Sequence, residues 1–170
     1  MGKPLGVLIV SLVIGTAGLS GCVGADAEVN GDVGISVDSN GHPIVVIAIC
    51  KDFVDQVSVT LGREGLKESE ANPAVGVFKA GEDIKESAAL DLSDPGSSWS
   101  NHEPVALDPT KHYIAIAEQA KADVEAAQVD FFGRDLAKMK PGFVYTNTDD
   151  IDKVEFDEHK AADFQAFACP

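Results

Sequence analysis

The densest chemistry in this sequence is a run of carboxylates: Asp149, Asp150, Asp152, Glu155, Asp157 and Glu158 stand close together near the C-terminus. Several carboxylate oxygens converging from one loop suit a hard cation such as Ca²⁺. The spacing departs from an EF-hand loop, since no Gly stands at the sixth place and Asp or Asn does not recur at the first, third and fifth. A solvated, mutually repelling face is therefore the preferred account, with Asp149, Asp150 and Asp152 as weak metal candidates. Asp38-Ser39-Asn40-Gly41 likewise reads as a turn first. His42, His102, His112 and His159 stand singly in polar contexts with no H-x-x-x-H pair, and are expected on the surface. A zinc or copper site would need the fold to gather three of them. Nucleophilic catalysis has no G-x-S-x-G, because Gly96-Ser97-Ser98-Trp99-Ser100 breaks that spacing. Phosphate-cradling Gly-rich loops are absent too, and the carboxylates are too numerous to nominate a general acid and base. The expectation is a protein with no catalytic residue and no cofactor.

Composition narrows the field further. A chain of 170 residues with 45% hydrophobic and 24% charged residues suits one folded domain, and excludes a disordered or collagen-like chain. Its 28 acidic residues outnumber 13 basic ones, for a net charge of −15. Such a field repels nucleic acid and anionic lipid surfaces.

The first residues combine Lys3, an apolar run from Leu5 to Leu19, and Leu19-Ser20-Gly21-Cys22. The run is too short to span a bilayer. Leu-Ser-Gly-Cys resembles the lipobox of bacterial lipoproteins, in which the Cys receives a diacylglycerol thioether and becomes the new N-terminus. That resemblance implies a signal peptide at 1–21, lipidation at Cys22 and attachment to the extracytoplasmic face of the cell membrane; a plain signal peptide with an incidental Cys is the competing reading. Two acyl chains suffice for stable anchoring, where a single chain is marginal. Residues 22–32 are small and acidic, and are expected to form a flexible tether ahead of a single domain at 33–170.

Setting Cys22 aside leaves Cys50 and Cys169, and an exported chain in an oxidising space rarely leaves two thiols unused. A Cys50–Cys169 disulfide is expected. It closes a loop of about 120 residues, for which the chain-entropy account gives on the order of 4–5 kcal/mol as an upper bound. Two reduced thiols serving half a metal site would lack partners at ligand spacing.

The remaining pattern is that of a β protein. Residues 33–38 alternate, Ser39-Asn40-Gly41 supplies a turn, and 43–50 is a β-branched run, which together make a hairpin. With no polar residue between Ile44 and Ile49, the second strand should be central or mostly buried. Residues 53–61 predict a strand with Val57, Val59 and Leu61 on one face, and 62–73 a solvated loop. The stretch 74–80 predicts a strand pairing with 87–92, and Trp99 should cap one end of the core. After a polar turn near Lys121 a strand is expected around 127–131, then a helical turn at 133–139 and a last long strand at 143–146. Asp157 should cap a short helix whose Ala161, Phe164, Phe167 and Ala168 share a packed face, with Cys169 locking it to the sheet.

Leu107-Asp108-Pro109, with Tyr113 four residues beyond the Pro and an alternating strand after it, resembles the tyrosine corner of immunoglobulin-like and fibronectin type III sandwiches. The resemblance implies that the Tyr113 hydroxyl bonds to backbone near the corner. It also implies an antiparallel β-sandwich, with one or two short helices near the C-terminus. Ala115 stands where antibody domains carry their second core Cys, so the likeness is one of architecture. The lipobox, the early Cys, Leu136-Ala137 followed by Lys140-Pro141-Gly142-Phe143-Val144, and the terminal Phe164, Phe167, Ala168 and Cys169 together resemble small secreted lipoproteins of actinobacterial type. The functional expectation is a non-catalytic, lipid-anchored module. Its partners would be the membrane through the lipid and an envelope or extracellular protein or glycan, with no nucleic acid. The alternative is a small-solute or Ca²⁺-binding lipoprotein.

Overall fold

The computed structural model describes residues 28–122, 124–148 and 154–170. Cys22 and Asp149, Asp150 and Asp152 lie outside the described residues. The protein is mainly β, as expected: β1 (Glu28–Val37), β2 (Pro43–Ile49), β3 (Val54–Leu61), β4 (Ala74–Ile84), β5 (Ser87–Asp91), β6 (His112–Glu118), β7 (Val124–Ala127), β8 (Val129–Phe132), β9 (Phe143–Asn147) and β10 (Phe156–Lys160). Short 3-10 turns at Gly133–Lys138 and Ala161–Asp163 and one α-helix, α1 (Phe164–Ala168), complete the described chain.

The β1–β2 hairpin forms as expected, closing at Val37 opposite Pro43. Asp38 Oδ1 accepts the backbone N–H groups of Asn40 and His42 at 2.7 and 2.8 Å. Gly41 takes φ +85°, a conformation that Gly adopts without a Cβ penalty. The sheet begins earlier than the expected boundary at Val33, because Glu28 and Val29 already pair in parallel with Val124 and Glu125 of β7.

Two antiparallel ladders result, β5–β2–β1 and β4–β3–β6–β8, and β7 joins them by pairing with both β1 and β6. The ten strands therefore form one mixed sheet in which only β1–β7 runs parallel. The side chains that the ladders turn toward each other, among them Ile35, Ile47, Val59, Phe78, Leu90 and Phe131, make one fully buried core. Each such side chain contributes about 1.5–3 kcal/mol on leaving water.

Three expectations need correction. The segment 87–92 does not pair with 74–80: β4 pairs with β3, while β5 pairs with β2. β5 is the second neighbour of β2, so the buried backbone of this apolar strand is hydrogen-bonded at both edges. Residues 143–146 are not the last strand, because β10 follows and pairs antiparallel with β9. Asp157 lies within β10 opposite Thr146 and caps nothing, and the residue before α1 is Asp163.

On the outer face of β1 and β2 a second, smaller core gathers Ala48, Val144 and Phe164. Gly34 makes it possible, since a Cβ there would collide with Val144 Cγ1. The expected helix face packs only in part: Phe164 is 2% exposed, but Phe167 is 47% exposed and stacks on the His159 ring at 3.7 Å.

Asp32, beside Gly34 on this outer side of β1 by strand alternation, is the acid most perturbed by the fold. Burial, opposed by the Val33 backbone N–H, pushes its carboxyl up to about 6. A folded value above the unfolded one favours the neutral acid. Its stabilising effect is thus complete below the unfolded value of 3.8 and is lost as pH rises through about 6. Because the group still meets solvent, Asp32→Asn should gain about 1–2 kcal/mol at pH 7, less than the full linkage value. Urea midpoints of both proteins at several pH values check this, and the gain should vanish near pH 4.

Candidate functional site

Two of the edge strands, β5 beside β2 and β4 beside β3, do not pair with each other. A cleft of about 520 Å³ lies along the seam between them, lined by Ala80, Gly81, Glu82, Ile84, Ala88, Ala89, Ser98 and Trp99. That volume lies within the range of small-ligand sites. Successive side chains on a strand point to opposite faces, so a cleft touching both Ala88 and Ala89 runs along the backbone edge of β5. The same holds for Ala80, Gly81 and Glu82 on β4.

The edge of β4 is already engaged. Gly81 N–H donates to Ser98 O and Ser100 N–H to Lys79 O, each at 2.9 Å. Among the described residues the edge of β5 is open. Glu86 O accepts from Ile49 N–H at 2.6 Å and Leu92 N–H donates to Pro43 O at 3.0 Å, which places the even-numbered backbone groups toward β2. The N–H and C=O of Ser87 and Ala89 consequently point away from the sheet, and both residues are exposed. Trp99 is 5% exposed, packs into the core as expected, and also closes one wall of the cleft.

No acid–base or metal chemistry is assembled in the seam. The sequence pattern missed these residues because small neutral side chains carry no motif. The available signal was a short strand, 87–91, lacking the Lys, Pro or bulge with which edge strands are commonly blunted.

The tyrosine corner is present. Asp108 N–H donates to Tyr113 Oη at 2.7 Å, and Tyr113 is 3% exposed with its ring stacked on Phe131 at 5.7 Å. A second corner repeats the spacing: Lys140 precedes Pro141, and its N–H donates to Tyr145 Oη at 3.1 Å. Tyr145 Oη in turn donates to Glu158 Oε2 at 2.9 Å, while Lys140 Nζ pairs with the same oxygen at 3.0 Å. Lys140 and then Tyr145 hold the Glu158 carboxyl below its ordinary value. These contacts draw the acidic strand β10 onto the sheet, so part of the acidic segment is structural. Tyr113→Phe strands a backbone N–H and should cost about 1–3 kcal/mol, read as a lower denaturation midpoint; a loss under about 0.5 kcal/mol would contradict the role of the bond.

Cys50 and Cys169 form the expected disulfide, with Cα atoms 5.3 Å apart. No three histidines converge among the described residues; the group whose ligand atoms do converge is Asp38, His42 and Asp91. Asp38 is committed to its turn, and Asp91 Oδ1 accepts the N–H of Ser93 at 2.7 Å. His112 is not the surface residue expected. Its side chain is 15% exposed, with Nδ1 2.6 Å from Glu64 Oε1 and Nε2 3.2 Å from Asp130 Oδ1. The second approach lacks hydrogen-bond alignment, so it acts only as a charge contact when the ring is protonated. Glu64 is held below its ordinary value by its own backbone N–H first, and then by His112. With both ring nitrogens turned to carboxylates, His112 ties the 62–73 loop to β8. No known protein family, curated protein or solved structure matches this chain.

Proposed function

We propose that this protein is a non-catalytic binding module, held by a lipid on Cys22 at the extracytoplasmic face of a membrane, that engages an envelope or extracellular protein. The single observation that carries the binding reading is the cleft between β4 and β5, with the outward backbone donors and acceptors of β5 at its rim. Support for the location comes from the Cys50–Cys169 disulfide, which suits an oxidising compartment, and from the Leu19-Ser20-Gly21-Cys22 pattern. The two ladders and the Tyr113 bond support an immunoglobulin-like sandwich as the underlying architecture, in which binding surfaces are loops and sheet edges.

Detergent phase partition of the full-length protein and of Cys22→Ser tests the anchor. The parent should enter the detergent phase and the variant the aqueous phase, with melting temperatures unchanged. A variant that stays in the detergent phase would remove the anchoring claim. Melting with and without about millimolar Ca²⁺ tests the alternative, because a cation bound well above its dissociation constant raises stability by about 2–3 kcal/mol.

A further inference from the structure

We infer that the β5 edge is a docking site for an extended, cationic segment of a partner protein, which adds as a strand between β5 and the Trp99 wall of the cleft. This rests on the binding-module reading and names its class of partner.

Three features converge on that occupant. The outward N–H and C=O groups of Ser87 and Ala89 repeat at the two-residue spacing of a strand, which is what an added strand requires. The walls are small, Ala80 and Gly81 on one side and Ala88 and Ala89 on the other, so a second backbone can approach closely. The charge selects a basic segment: Glu82 lines the cleft, Asp83 and Glu86 flank it against Lys79 and Lys85, and the whole chain carries −15. The same net charge opposes pairing of β5 with β5 of a second copy.

Trp99 and Ile84 add an apolar floor beneath the rim, where alternate side chains of the incoming strand would turn inward. Basic side chains on the other face would meet Glu82. Main-chain bonds supply affinity in this mode and the alternate side chains supply selectivity.

The test uses the full chain carrying Cys22→Ser, and two peptides of about six residues. One alternates lysine with valine and the other alternates glutamate with valine. Amide hydrogen exchange is followed residue by residue. The lysine peptide should slow exchange at Ser87 and Ala89 about tenfold or more, leave the β2 ladder unchanged, and bind less well as salt rises. The glutamate peptide should not bind.

Ala89→Pro removes the outward N–H while leaving the bonds to β2, and should abolish binding with the ladder still protected. Glu82→Lys changes only the charge of the wall and should weaken the lysine peptide; it decides the matter if Ala89→Pro fails to fold. Binding without protection of Ala89, equal binding of both peptides, or full binding to a folded Ala89→Pro would overturn the inference. So would concentration-dependent dimers whose own β5 amides become protected, since the occupant would then be a second copy. If envelope proteins crosslink equally to the parent and to Ala89→Pro, the module reading stands and the β5 edge does not.

Discussion

Replacing Cys50 and Cys169 together by Ala is expected to lower the unfolding free energy by about 3–4 kcal/mol. The two residues lie 119 positions apart, so the bond removes a very long loop from the freedom of the unfolded chain. What it holds is small. α1 spans five residues, Phe164–Ala168, far below the length at which a helix persists by itself in water. Without the bond, the last turn is kept by Phe164, by the stack of Phe167 on His159, and by Gln165, whose Nε2–H donates to Ile49 O at 3.0 Å. Urea unfolding of parent and variant, each without reductant, reads the difference. A loss below about 1 kcal/mol would mean that α1 docks unaided.

Phe164→Ala is expected to cost a similar amount, about 3–5 kcal/mol. Phe164 is the one fully buried residue of α1, and it covers Gly34 on β1 together with Val144 on β9. Its removal leaves a hole that neighbouring chains cannot refill, because Gly34 and Ala48 have no side chain long enough to reach. The two substitutions act on the same docked element. A cycle combining them should therefore fall short of additivity by more than about 0.5 kcal/mol, since a helix already released has less left to lose. Strict additivity would show that Phe164 and the disulfide stabilise separate units.

Features set by neighbours in sequence were legible beforehand. The apolar run of β2, the Asp38–Gly41 turn and the corner at Tyr113 each follow from a few adjacent residues, and the disulfide follows from having two cysteines left after Cys22. Partner choice was not legible. The segment 87–92 alternates like a strand, but alternation names no neighbour, and no adjacent residue tells that it pairs with β2 and not with β4. β10 escaped notice because Asp157 and Glu158 read as solvated charge, whereas Phe156 packs edge-on to Tyr145 and Glu158 is held by Lys140 and Tyr145. His112 looked like a surface residue for the same reason, its partner Glu64 being 48 positions away. The cleft has no motif because it is a space between edges, and small residues such as Ala88 and Ala89 advertise nothing.

The β5–β2–β1 ladder also has a mechanical meaning. A load entering the chain at Glu28 runs along β1, which is paired with β2 from Gly31 to Val37 and through β2 with the whole of β5. Hydrogen bonds in such a ladder lie across the strands, so a pull along β1 shears all of them at once instead of peeling them one by one. β7 and β9 grip the other edge of β1 in the same sense. A grip on β5 and a pull at Glu28 would then meet across β2, within one three-strand ladder, with the greater part of the domain bearing little of the tension.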